Sequence, residues 1–413
     1  EMQRPAIIAL LVALPLILAI DNGKGITPPL GWRSWNLYGA DVNQSLIMSQ
    51  MDGLVKRTRT VNGVPTSLKD LGYSDIGLDD NWQQCGSYGP NKYTYHDGAG
   101  FPVVNRDRFP NFIEMTDHAH SLGITAGWYG NNCICKDHCS DEKCYHGDVG
   151  ALIAYGFDSI KLDGCGQQID LDLWASLFNA TGKSILIENC HWGGTIPNKT
   201  WCPWNYYRTS GDIRASYESM VSNLQTTIKF ATEGLSTPGC WAYPDMLEVG
   251  CAHGPGGASD PGLSFAESRS HFGAWCIVSS PLILSHDINN DTVSDMIWPI
   301  IANTEAIAVN QAWAGHSGTV FDQANSTIES MSVPAWQQWY KPVSATDIAV
   351  LLMNHADDQA AITLDFSKVP GLKAGGSIHV RDIWEHKDLG PFTGSWTANL
   401  ASHDSAFLML TPA

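Results

Sequence analysis

Eight short apolar segments, each closing on polar or aromatic residues, alternate with helix-like stretches along the first three quarters of the chain. They occupy residues 30–36 (LGWRSWN), 73–80 (YSDIGLDD), 124–130 (ITAGWYG), 158–163 (DSIKLD), 184–190 (SILIENC), 206–212 (YYRTSGD), 240–246 (CWAYPDM) and 281–287 (PLILSHD). In the intervals at 111–122, 149–155, 171–178, 216–231 and 264–277, apolar residues recur every three and four positions, the period of an amphipathic helix. Strands that alternate strictly with helices pair in parallel, and eight such units within about 250 residues close into a (β/α)8 TIM barrel. The interior of such a barrel is packed, so its chemistry gathers where the strands end at their C-terminal side. Those ends carry Trp35, the pair Asp79 and Asp80, Lys161 with Asp163, Cys190, Arg208 with Asp212, and Asp245. Any one of these carboxylates could simply mark where a strand meets water. Their convergence on one rim points to a site.

After Trp313 the helical pattern stops. Strand-like segments at 327–332, 335–341, 347–354, 360–365, 377–383, 394–399 and 405–410 follow one another, separated by Asp357, Asp358, Gly371, Gly375 and Gly376. The expected organisation is a catalytic barrel over 21–317 and a C-terminal antiparallel β-sandwich over 318–413. Residues 1–20 have the form of a secretory signal peptide. Arg4 precedes an apolar run at 6–20, and Asp21, Asn22 and Gly23 follow at once. The run falls short of the roughly 20 residues a membrane span needs, so no membrane association is expected after cleavage.

Secretion fits two further features. Five Asn-x-Ser/Thr glycosylation acceptors occur, at Asn43, Asn179, Asn198, Asn290 and Asn325. There are also eleven cysteines, an odd number that leaves at least one free or paired between molecules. The cluster Cys133, Cys135, Cys139 and Cys144, with His146 beyond, matches no common zinc spacing, and an oxidising compartment favours disulfides over a metal. Acidic residues outnumber basic ones 42 to 24, giving a net charge of -18 that repels phosphate backbones and excludes general nucleic-acid binding. Neither a Walker loop nor a dinucleotide glycine fingerprint follows any segment, so no cofactor is expected.

Seven motifs carry a resemblance over nearly the whole mature length: PPLGWRSWN (28–36), LDDNW (78–82), KLDGC (161–165), YRTSGDI (207–213), PDML (244–247), SSPLILSHDI (279–288) and DIWEHKDLG (382–390). In order and spacing the chain resembles the melibiase-like α-galactosidases of glycoside hydrolase family 27. The resemblance implies a barrel followed by a β-sandwich. It also implies an extracellular, lysosomal or vacuolar exo-glycosidase that removes terminal α-D-galactosyl residues, with retention, from oligosaccharides, polysaccharides or glycoconjugates.

By motif, Asp163 resembles the family nucleophile and Asp212 the acid/base. A retaining glycosidase sets two such carboxyls about 5–5.5 Å apart. Lys161, two residues before Asp163 and on the same strand face, is expected to lower the nucleophile's pKa. Burial and the charge of Asp163 are expected to raise that of Asp212. Arg208 falls on the side of Asp212 if the strand stays regular. Asp79 and Asp80 resemble the acceptors for the sugar's 4- and 6-hydroxyls, with Lys161 and Arg208 as donors to neighbouring ones. Trp35 and Trp192 offer flat faces to the pyranose, and Met246, after Asp245, closes one wall.

Three departures from the family stand out. Asn81 replaces the cysteine that follows the paired acids, with Cys85 further on, which leaves the usual first disulfide in doubt. A Cys133–Cys165 bridge fits, although Cys135, Cys139 and Cys144 keep its partner ambiguous. In 189–194 (NCHWGG), the segment facing the sugar's 2-position, Cys190 and Trp192 match a galactose pattern, while His191 stands where many members carry Glu. The rival activities on this fold are an α-N-acetylgalactosaminidase and a β-L-arabinopyranosidase; intact Asp79 and Asp80 argue against the second. A non-catalytic sugar-binding protein is disfavoured because both Asp163 and Asp212 are present.

Overall fold

The computed structural model describes residues 20–86, 93–131, 133–373 and 375–413, so the expected signal segment lies outside the described residues except for Ile20. The eight apolar segments supply eight strands: β1 (Leu30–Arg33), β2 (Asp75–Gly77), β3 (Thr125–Gly130), β4 (Ser159–Asp163), β5 (Leu186–Cys190), β6 (Tyr206–Arg208), β7 (Trp241–Tyr243) and β8 (Leu282–Leu284). They form one parallel sheet in which β8 pairs with β1 and each later strand pairs with the next, curling into a barrel. A hydrogen bond from Leu247 N to Ile283 O crosses the seam between β7 and β8. Most strands are shorter than the segments that house them. The polar ends leave the sheet early and become the loops of the rim.

The expected helices form at Phe112–Ser121, Glu142–Tyr155, Leu171–Ala180 and Phe265–Ile277. The stretch 216–231 differs, because it divides at Thr226 into Tyr217–Gln225 and Thr227–Glu233. Several helices start on side chains that accept from the first turn, among them Asn111, Asp170, Ser216 and Ser264, the last in a reciprocal capping box with Glu267. All five sequon asparagines are exposed.

The C-terminal part is antiparallel. Its main sheet runs in the order Thr319–Gln323, Trp336–Pro342, Ile348–Asn354, Ser405–Pro412, Ile378–Asp382, Lys387–Phe392, and Ala360–Asp365 pairs separately with Ser395–Leu400. The expected strand at 327–332 shrinks to Thr327–Ile328, paired with Val333–Pro334 outside the main sheet. The strand Ile348–Asn354 is buried on both faces. Ile348, Val350 and Leu352 join the sandwich core, whereas Ala349, Leu351 and Met353 join the barrel core, as the period-2 alternation of a strand dictates. The barrel helix Phe265–Ile277 lies against it. A Cβ at Gly273 would come within 2.9 Å of Trp384 and 3.0 Å of Leu351, so only glycine permits this approach. At the same junction buried Lys341 donates to the carbonyls of Val309 and Asn310, and burial lowers its pKa to about 7.

Four disulfides form: Cys85–Cys135, Cys133–Cys165, Cys139–Cys144 and Cys202–Cys240. Cys190, Cys251 and Cys276 are buried free thiols. Three of the bridges fasten the loop after β3, whose Asp137 also joins an internal ion cluster. The His96 ring lies 3.0 Å from Asp148 and 3.4 Å from Asp137, and Asp137 accepts from the amides of Thr94, Tyr95 and His96. Burial alone would lower the His96 pKa, but the two carboxylates lift it to about 9. A raised folded-state value means that this contribution is complete below the ordinary 6.5 and disappears as pH climbs through 9. The shift corresponds to something on the order of 3 kcal/mol. Wild-type melting temperature should therefore fall between pH 6.5 and 9.5 more steeply than that of His96→Gln. Parallel slopes in a thermal-shift series would remove His96 from this role.

Candidate active site

Strand register sets the floor of the site. Tyr129 on β3, Lys161 on β4, Glu188 on β5 and Tyr206 on β6 lie side by side, and one step higher Asp163 aligns with Cys190. Alternate residues share a face, so Lys161 and Asp163 both point into the barrel. Lys161 Nζ lies 2.9 Å from Asp79 Oδ2 and 5.5 Å from the centre of the Tyr129 ring. The Tyr129 hydroxyl donates to Asp163 Oδ2 at 2.9 Å. Burial would strip Lys161 of its proton, but Asp79 and Asp163 hold its pKa well above the ordinary value.

The paired acids hang from the end of β2. Asp79 accepts from Asp80 N through Oδ1, and its own amide donates to the Ser34 hydroxyl. Asp80 Oδ2 accepts from the amides of Cys133 and Ile134, and Oδ1 from that of Asn81. Burial, with the neighbouring charge of Asp79, raises Asp80 to about 6. Both carboxyls retain lone pairs for further donors.

Strand β6 stops at Arg208, so strand regularity does not carry Asp212 to the site. The turn at 209–212 does so instead, returning Asp212 to within 3.0 Å of Arg208 Nη2. Arg208 is 1% exposed and also contacts Asp245 at 2.9 Å and the Cys190 sulfur at 3.4 Å. Asp245 is held in turn by the amides of Ile213 and Met246, and Met246 is buried.

The electrostatics reverse two expectations in this open site. Burial raises the pKa of Asp163, and Lys161, whose ammonium is committed to Asp79, offsets this only in part. Burial also pushes Asp212 upward, but Arg208 and Lys161 outweigh it and hold its pKa below the usual carboxylate value. The reason is position: the Asp212 side chain is 64% exposed at the mouth, beside a guanidinium, whereas Asp163 lies on the floor.

Trp192 covers the loop beside Asp163. A Cβ at Gly164 would lie 3.1 Å from its ring, so the glycine of KLDGC makes room for the indole. Trp192 adopts φ 50° and stays 38% exposed, and its side chain helps keep Asp212 ionised. Trp35 is half-buried and opens the short helix Trp35–Tyr38 that follows β1, lining a cavity together with Asp212. His191 turns its Nδ1 to the Thr195 hydroxyl at 2.9 Å, and burial lowers its pKa. Sequence reasoning missed the support beneath these groups, namely Tyr129 and the buried Arg33–Glu188 pair at 3.2 Å. Inward parity on β1, β3 and β5 was the available signal, but it acquires meaning only once the strand register is known.

A parallel barrel whose rim sets carboxylates among buried cations and flat aromatic faces, with an antiparallel β domain behind it, is the frame of a glycoside hydrolase. Residues 27–312 match the family model described as alpha galactosidase A, and residues 333–410 match the alpha galactosidase C-terminal β-sandwich domain. The α-galactosidase of Cyamopsis tetragonoloba is 31% identical over 404 residues, covering 95% of this chain and 88% of that enzyme. Among solved structures, α-galactosidase I from Mortierella vinacea superposes with a TM-score of 0.75 at 25% identity, covering 95% of this chain and 100% of the other. The Saccharomyces cerevisiae α-galactosidase solved with raffinose shares the fold, with a TM-score of 0.75 at 20% identity, covering 95% of this chain and 99% of the other. The chain belongs to the α-galactosidase (melibiase) family of glycoside hydrolases.

Proposed function

We propose that the chain cleaves terminal α-D-galactosyl residues from galactosides by double displacement, with Asp163 as nucleophile and Asp212 as acid/base. The observation that carries this is the division of the two carboxyls between environments, Asp163 buried on the floor beside the Tyr129 hydroxyl and Asp212 at the mouth. In the first step an Asp163 oxygen attacks the anomeric carbon, the bond to the leaving oxygen breaks, and Asp212 gives that oxygen its proton. In the second step Asp212 takes a proton from water, whose oxygen displaces the Asp163 ester and restores the α-configuration. A bound glycoside covers the exposed face of Asp212, and this desolvation raises its pKa toward the protonated form the first step needs.

Asp79, Asp80 and Lys161 supply acceptors and a donor for the galactose hydroxyls, with Arg208 and Asp245 on the opposite side. Trp35 and Trp192 face the ring, Cys190 and Met246 line its wall, and no cofactor or metal enters the mechanism. The four disulfides and the sequons support a place in the secretory pathway, outside the cell or in a lysosome or vacuole. Oligosaccharides such as raffinose, polysaccharides and glycoconjugates carry the terminal galactose this site fits.

Parallel hydrolysis of 4-nitrophenyl α-galactoside, α-N-acetylgalactosaminide and β-L-arabinopyranoside tests the assignment. The galactoside should be strongly preferred, and a preference for the N-acetylated substrate would overturn it. The bulk of Trp192 beside the 2-position excludes an acetamide sterically, so Trp192→Ala should gain about tenfold in α-N-acetylgalactosaminide turnover while losing some galactoside activity. A variant that only loses galactoside activity would make Trp192 a stacking surface and not a wall.

A further inference from the structure

Tyr129 aims the carboxylate of Asp163, but the main chain of that residue is held by a side chain the mechanism does not use. Strand β3 ends at Gly130, one register step short of Asp163, and the next residue turns to φ 51°, a left-handed conformation that asparagine tolerates better than most. From there Asn131 Nδ2 donates to Asp163 O at 2.9 Å, while Asn131 Oδ1 accepts from Gln168 N at 3.3 Å. One amide thus grips the loop after β4 at both Asp163 and Gln168. Gln168 is 2% exposed, and each of its polar groups is engaged. Its O accepts from Trp174 Nε1 at 2.9 Å and its Oε1 from the Tyr95 hydroxyl at 3.2 Å, and its Nε2 donates to Asp148 Oδ2 at 2.6 Å. The same Asp148 oxygen lies 3.0 Å from the His96 ring, so the internal ion cluster is the far end of a continuous buried network that stops at the nucleophile.

We infer that Asn131 and Gln168 are positioning residues for Asp163, anchored by the buried pair of His96 and Asp148. The inference rests on the assignment of Asp163 as nucleophile. Asn131 and Gln168 are too deeply buried to touch a substrate, so they act only through the main chain that carries the attacking oxygen. An apolar side chain of similar volume would fill the place of Gln168 equally well, whereas a satisfied polar network fixes one geometry for the loop. That geometry matters here. A displacement of about 1 Å in a reacting atom slows a displacement reaction steeply. The contacts that hold galactose in the ground state belong to other residues, Asp79, Asp80, Lys161 and Arg208, and do not depend on this loop.

An α-galactose-configured cyclophellitol aziridine, whose ring the nucleophile opens to leave a stable ester, reads position and binding separately. Asn131→Gly keeps the left-handed turn and removes the amide; Gln168→Met keeps the volume and removes the side-chain bonds. Each should slow the first-order step of Asp163 labelling about tenfold, and lower kcat on 4-nitrophenyl α-galactoside as much, while the inhibition constant of free galactose stays within about twofold of wild type. The double variant should be no slower than the slower single one, because both residues act through one contact. Galactose binding lost in step with rate, labelling at the wild-type rate, or multiplied losses in the double variant would overturn the positioning role. If one single variant fails to fold, the other decides by the same split. If both fail, Tyr95→Phe, which deletes one hydroxyl, carries the test with a smaller loss of about threefold. A label on a peptide without Asp163 in the wild type would instead refute the nucleophile assignment, and the inference with it.

Discussion

Asp163→Asn should reduce kcat on every galactoside by a factor on the order of 10⁴ or more while leaving the melting temperature close to wild type. An amide cannot form the glycosyl ester, while its oxygen in the place of Oδ2 still accepts from the Tyr129 hydroxyl and its NH₂ gives up only the long, 3.4 Å bond that Oδ1 accepts from Cys165 N. Removing the side chain altogether gives a sharper signature. With Asp163→Gly and sodium azide, the azide enters from the face the carboxylate used and should yield β-galactosyl azide, the inverted product. Residual activity of more than a few per cent in Asp163→Asn, or an α-galactosyl azide from Asp163→Gly, would move the nucleophile elsewhere.

Asp212→Ala should divide substrates by their leaving groups. Raffinose, whose leaving oxygen needs a proton, should lose on the order of 10²–10⁴ in kcat, whereas an activated 2,4-dinitrophenyl galactoside loses little in its first step. With that substrate the glycosyl-enzyme should accumulate, visible as a burst of phenolate and as a mass increase on the Asp163 peptide. Losses of equal size across leaving groups would take Asp212 out of the acid/base role. In the wild type the rate should follow a bell in the acidic range, with both limbs belonging to the coupled pair.

How much of this was legible before the fold was known depends on the kind of information involved. The eight barrel strands could be read because burial on both faces demands unbroken apolar runs, and the rim residues because each run ends abruptly in polar ones. The strand Lys387–Phe392 was hidden by its content: it carries Lys387, Asp388, Gly390 and Pro391, residues a central strand rejects but an edge strand tolerates, and it sits at the edge of its sheet. Thr319–Gln323 occupies the other edge and is only half-buried, so its apolar signal is weak. The protonation of Asp163 and Asp212 could not be read at all. It depends on Lys161 choosing Asp79 as its partner and on the turn at 209–212 lifting Asp212 beside Arg208, and neither choice leaves a trace in periodicity.

The bridge between Cys133 and Cys165 has a reach beyond holding two loops. Its first residue offers a backbone amide to Asp80, and its second stands two places after Asp163. In the proposed mechanism one covalent bond thus ties the grip on the sugar to the atom that attacks it. On that assignment a chain whose barrel has formed stays catalytically unfinished until the bond closes. Activity should then be lost at a lower concentration of reductant than the one that lowers the melting temperature, and a parallel loss of both would mean that the bridge only holds the loops.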